Sequence, residues 1–166
     1  MVVPWTMAQS IRSSRRQHAA RPQLFAHRTV NQFGDTPDLI RELTQLVLSG
    51  TKTATCSALW ELETESEELP TVGSKTITLD ENDQPVCIFE TTEVIIQPFD
   101  QVDAQFAYDE GEGDRTLEIW RQEHWTYFSR VLPTIGKEPS PTMMLVCERF
   151  RVIYPSNPYE QDPHSS

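Results

Sequence analysis

Apolar side chains settle into a helical rhythm at Leu39, Ile40, Leu43, Leu46 and Val47, which places them along one face of a helix. Thr36, Pro37 and Asp38 stand just before them and suit a helix start. Thr serves as N-cap, Pro loses nothing at the first helical position, and the acid meets the positive end of the dipole. Gly50 supplies the stop, so the pattern predicts a helix over 37–49. A second run, Leu117, Trp120, His124, Tyr127, Phe128 and Val131, keeps the same spacing and predicts a helix over 115–131 with Asp114 as N-cap.

Between these helices the pattern changes to β. "TKTATCSALW" enters a strand-like stretch, and "ELETESEEL" reads as a solvated loop or a short helix ending at Pro70. "KTITL" (75–79) and "VCIFETTEVIIQPF" (86–99) flank "DENDQP", whose Asp and Asn favour a tight turn; they predict an antiparallel hairpin with a second arm that continues or bends near Thr91. "TMMLVCERFRVIY" (142–154) predicts a long strand with Leu145, Cys147, Arg149 and Arg151 on one face. The tail, 155–166, is polar and Pro-interrupted, and disorder is expected there. Together these elements predict one α+β domain over 31–154, built on a small antiparallel sheet or barrel.

Charge narrows the partners. The formal net charge is −11, yet Arg12, Arg15, Arg16, Arg21 and Arg28 all precede the first acid, Asp35, which leaves 9 basic and 25 acidic residues beyond them. Such a body repels a phosphate backbone unless a local basic groove overrides its field, so small neutral ligands are the expected partners. Residues 1–30 form a basic arm, expected to be disordered, a targeting segment or the product of a misassigned start. No apolar run approaches membrane-span length, so no membrane partner is expected. Cys56, Cys87 and Cys147 are odd in number and widely spaced, as reduced core thiols of a cytoplasmic protein would be. The pattern does not specify an oligomeric state.

Candidate chemistry gathers at two places. In "AYDEGEGD" the acids alternate but lack the remainder of a calcium loop, and His18, His27, His124 and His164 are too scattered for a zinc set, so no metal site is expected. Glu112 and Asp114 suit helix capping, whereas Glu110, before both glycines and near Phe106 and Ala107, is the acid most apt to point back at protein. Lys52 is either a cation after a helix C-terminus or a pocket lysine able to activate a hydroxyl. In a regular strand residues three apart face opposite sides, so Lys52 and Thr55 meet only if "GTKT" is a turn. His124 and Tyr127, with Arg121 beside Trp120, either line a pocket or pack the helix face.

Taken together, "FGDTPDLIRELTQLVLSGTKTATCSALW" and "LPTVGSKTITLDENDQPVCIFETTEVIIQPFDQVDAQFAYDEGEGDRTLEIWRQEHWTYF" resemble the ASCH-domain family over residues 31 to 153. The resemblance implies a PUA-like β-barrel with flanking helices and no cofactor. RNA binding has been proposed for this fold, some members are described as ribonucleases, and compact members are amidohydrolases that deacetylate N(4)-acetylcytidine. In those hydrolases a lysine base, a threonine nucleophile three residues later and a later glutamate do the work. They fall on Lys52, Thr55 and Glu110, the last located by Ala107 three residues before it. Trp60, Arg121, His124 and Tyr127 are then the candidate substrate contacts. The expected function is hydrolysis of a small acylated nucleoside; a metal-independent ribonuclease or a non-catalytic RNA-binding module is the alternative. The "ELETESEEL" insertion and the "WRQEHWTYF" helix depart from the compact hydrolases, so substrate identity transfers less directly than the three residues.

Overall fold

The computed structural model describes residues 29–155, and the expectations for 1–28 and for 156–166 lie outside the described residues. Nine elements follow in order: β1 (Thr29–Asn31), α1 (Pro37–Leu48), β2 (Ala54–Ala58), α2 (Leu59–Glu65), β3 (Lys75–Leu79), β4 (Pro85–Pro98), α3 (Ala104–Glu110), α4 (Leu117–Val131) and β5 (Met144–Tyr154). Short 3-10 turns, Phe99–Gln101 and Leu132–Ile135, follow β4 and α4.

The strands form one curled sheet in the order β1-β3-β4-β5-β2, an open half-barrel of α+β class. The sheet is mixed where an antiparallel one was expected, because β1 runs parallel to β3. Thr29 and Val30, which the basic composition of 1–30 groups with the arm, belong to β1. The β3–β4 hairpin closes through Asp80, whose carboxylate accepts the backbone N–H groups of Asn82 and Gln84, as an Asx turn requires. β4 then pairs with β5 along nearly its whole length, and its register shifts between Thr91 and Glu93, where a bend was expected.

α1 starts as its sequence predicts: Thr36 accepts from the Leu39 N–H, and Leu39, Ile40, Leu43 and Val47 are buried. The cap of α4 is Thr116, not Asp114, and it accepts from the Ile119 N–H. Asp114 lies two residues further out, and its carboxylate holds the Thr116 backbone and hydroxyl. α3 was not foreseen; Asp103 caps it and Gly111, at φ +74°, ends it. "ELETESEEL" contributes its first half to a short helix, α2, that already begins at Leu59.

The buried apolar side chains form one connected core that holds two aromatic groups. Phe99, Phe106, Trp120 and Phe128 from α3, α4 and the turn after β4 make up the first. Phe33, Phe89 and Phe150 pack together in the second, with ring centroids 4.4 to 6.1 Å apart. No disulfide joins the three cysteines, and all three are buried. Cys56 and Cys147 face one another across the β2–β5 ladder, and burial pushes the Cys147 thiol up to about 12. No helix among the described residues is long and apolar enough to cross a membrane.

Candidate active site

Lys52 sits in the short link between α1 and β2, and α3 delivers Glu110 to it across a chain crossing. The Thr53 N–H donates to the Asp109 carbonyl at 2.8 Å, which ties the two segments together. The crossing needs glycine: a Cβ on Gly111 would lie 2.4 Å from the Thr51 carbonyl oxygen, and its positive φ already disfavours other residues. Because the backbones approach so closely, the Lys52 side chain enters a space sealed from solvent, with an exposure of 0%.

Its ammonium has three N–H groups and meets three acceptors. Nζ donates to Glu112 Oε1 at 2.5 Å, to Glu110 Oε2 at 3.0 Å and to the Glu110 carbonyl at 3.4 Å. Burial pulls the lysine down, but the Glu112 and Glu110 carboxylates outweigh it and leave its pKa above the ordinary value. Burial also raises Glu112, against the pull of Lys52 and with a push from the neighbouring Glu110 charge. The charged groups therefore hold one another in an interior that would tolerate none of them alone.

The other oxygen of Glu110 faces α4. Oε1 accepts from the Trp120 indole N–H at 3.2 Å and lies 3.6 Å from His124 Nε2. His124 stacks on Trp120 with centroids 4.1 Å apart, and its Nδ1 lies 2.9 Å from the Trp120 carbonyl. The Cys56 thiol adds a further hydrogen bond to Glu110; burial first, and then the Glu110 charge, raise its pKa well above the ordinary thiol value. Cys56, Glu110 and His124 thus bring three types of metal ligand within 4.8 Å. The Lys52 ammonium already supplies the positive charge there, and the thiol keeps its proton, so a divalent ion would have to displace both.

The sequence-derived residues separate in space. Lys52 and Glu110 touch, and His124 joins them. Thr55 shares no hydrogen bond with either: its hydroxyl is buried and has no partner. Strand alternation turns Thr55 to the face opposite Cys56, and it lies directly across the ladder from Glu148. Tyr127 is buried and donates to Glu61 at 2.9 Å, and Trp60 lies under the Lys137 ammonium at 5.2 Å. Arg121 is exposed and donates to the carbonyls of Asp100 and Val102, bracing the turn after β4.

Glu112 and Cys56 complete the cluster and were missed. An acid two residues past Glu110 across a glycine looks, in sequence, like any carboxylate in front of a helix. Cys56, four residues past Lys52, carries no signal beyond its apolar context. Asp109 belongs elsewhere, in an ion pair with Arg149 at 3.1 Å.

The comparisons agree with this fold. No curated protein matches the chain. A protein of Enterococcus faecalis V583 is 41% identical, superposes with a TM-score of 0.69 and covers 75% of this chain and 76% of its own. An ASCH domain from Lactobacillus crispatus JV V101 is 33% identical, with a TM-score of 0.70 over 75% of this chain and 78% of that one. The ASCH domain family model matches residues 29–154, the span of all nine elements, and the chain therefore belongs to the ASCH domain family.

Proposed function

We propose that this ASCH domain is an amidohydrolase that cleaves the acyl amide of a small substrate of the N(4)-acetylcytidine kind, with Thr55 as nucleophile and Lys52, Glu110 and Glu112 as its proton-handling group. The observation that carries this reading is the lysine sealed between two carboxylates. A buried charge group of this kind is often replaceable by apolar residues without loss of stability, so its presence points to a use beyond holding the fold.

Chemistry follows from the donor count. With all three N–H groups engaged, Lys52 has no lone pair to offer, and it becomes a base only after passing a proton to Glu112 along their 2.5 Å hydrogen bond. That transfer removes the charge holding Nζ between the carboxylates and frees the amine to turn toward Thr55. The amine takes the Thr55 proton, the hydroxyl oxygen forms a bond to the acyl carbon, the carbon–nitrogen bond breaks, and the proton leaves on the amine product. Water then hydrolyses the acyl-threonine by the same route in reverse. Glu110, braced by Trp120 and Cys56, keeps the lysine placed.

The ribonuclease alternative is weaker here, since His124 and Tyr127 are buried in side-chain contacts instead of lining a phosphate track. The test is hydrolysis of N(4)-acetylcytidine with chelator present, followed by separation of cytidine. Thr55→Ala and Glu110→Gln should each lose about a hundred- to ten-thousandfold in kcat, and Thr55→Ser should keep a fraction. Near-native turnover in Thr55→Ala would remove Thr55 as nucleophile.

A further inference from the structure

A cavity of about 470 Å³ opens between β1, β3 and the loop before β3. That volume falls in the range of small-molecule sites. Its wall is mixed: Asn31, Ser74 and Thr76 line it, Phe89 supplies a flat apolar surface, and Glu148 reaches it from β5. Two of these side chains are buried and polar, and one is short of a partner. Asn31 is 3% exposed, and its Oδ1 accepts no hydrogen bond. Glu148 is 5% exposed and is held by the Thr91 hydroxyl, which donates to its Oε1 at 2.5 Å. Buried polar atoms without partners are rare in folded proteins, and an orphan that lines a cavity points to a ligand that completes it.

Glu148 also marks the place of the candidate nucleophile. Thr55 lies directly opposite it, on the same face of the ladder, with its own hydroxyl unpartnered. Side chains so paired begin about 4.5–5.5 Å apart. A group gripped by Glu148 therefore has its neighbouring substituent within reach of Thr55. Glu67 and Glu68 on the cavity wall are acidic, and Lys75 there is engaged with Glu90 at 3.7 Å. These charges suit a neutral ligand and oppose a phosphorylated one.

We propose that this cavity seats the planar heterocycle of the substrate, a neutral pyrimidine nucleoside, with Glu148 and Asn31 bonding the polar edge of the ring and Phe89 lying against it. This assignment rests on the amidohydrolase reading for the acyl group at Thr55, but not for binding of the ring itself. A carboxyl that has kept its proton donates to a ring nitrogen and accepts from the adjacent N–H, and burial does raise the Glu148 pKa despite the Thr91 hydrogen bond. Glutamine offers the same donor and acceptor pair, whereas leucine offers neither.

The experiment is calorimetric titration of the full chain with cytidine and with cytidine 5′-monophosphate, alongside KM and kcat for N(4)-acetylcytidine. Glu148→Leu should weaken cytidine at least tenfold and raise KM similarly, Glu148→Gln should stay within about threefold, and the monophosphate should bind more weakly than the nucleoside. Thr71→Trp, an exposed change at the cavity wall, should block binding without touching Glu148 and covers the case in which Glu148→Leu does not fold. Unchanged cytidine affinity in both Glu148→Leu and Thr71→Trp would overturn the cavity assignment while leaving hydrolysis standing. Cytidine binding that depends on Glu148, without hydrolysis of the acetylated nucleoside, would overturn the amidohydrolase reading and keep the cavity. Absence of both would overturn the two together.

Discussion

Lys52 and Thr55 lie three residues apart and have opposite energetics. Lys52 satisfies two buried carboxylates, so Lys52→Met strands both and should cost about 3–5 kcal/mol, read as a fall in the urea midpoint. Loss of activity in that variant would say little about catalysis, which is why Glu110→Gln is the better probe. Thr55 keeps a buried hydroxyl that bonds to nothing. Thr55→Val should therefore raise stability by about 1 kcal/mol while abolishing deacylation, as a residue retained for chemistry and not for the fold would do. A lower melting temperature in Thr55→Val would show a structural role instead.

Glu148 gives the pH dependence. Its folded pKa lies above the 4.5 of a free glutamate, so the folded chain binds the proton more tightly than the unfolded one. Stability from this group then falls as pH rises from about 4.5 through the raised value. Glu112 and Glu61, both raised by burial, have the same sign. Glu148→Gln removes its share of this slope, so the variant should gain on the native protein as pH rises above about 4.5 in urea titrations.

At the scale of elements, the crossing of the α1–β2 link over the end of α3 sets the site. Gly111→Ala adds about 1–3 kcal/mol of left-handed strain, and its methyl group would also drive Thr51 away and pull Lys52 from Glu110. The expected result is a lower melting temperature together with lost activity, in contrast to Gly50→Ala, where no atom lies within 4 Å and only the strain remains. Elements were legible where their cause is local: α1 from its cap and spacing, the β3–β4 hairpin from Asp80 and its turn. α3 was hidden because seven residues hold too few apolar positions to show a period. Lys52 and Glu110 came from likeness to a family, but the role of Glu112 depends on which way a chain turns after a glycine. The parallel pairing of β1 depends on a partner more than forty residues away, which local pattern does not encode.

For the whole molecule, β1 begins at Thr29, and the sequence before it has no periodic apolar face to bury. Removal of residues 1–28 should leave the melting temperature and turnover within error. The remaining chain has lost five arginines from an already acidic protein, so any affinity for single-stranded RNA should fall with the truncation and with added salt. Fluorescence anisotropy of a labelled RNA, with and without the segment, separates an accessory nucleic-acid contact from the proposed hydrolytic site.

The Lys52–Glu110 contact spans 58 residues of chain, and β3, β4 and their hairpin lie wholly inside that interval. Closing so long a loop is entropically costly until the intervening strands have shortened it by pairing. The hairpin can nucleate early, but the buried charges can meet only once the sheet is nearly complete. A destabilising change at Lys52 should therefore speed unfolding and leave the refolding rate almost untouched, while changes at Ile77 or Phe89 slow refolding. The Lys52 cluster would then be the last part of the molecule to assemble and the first to come apart.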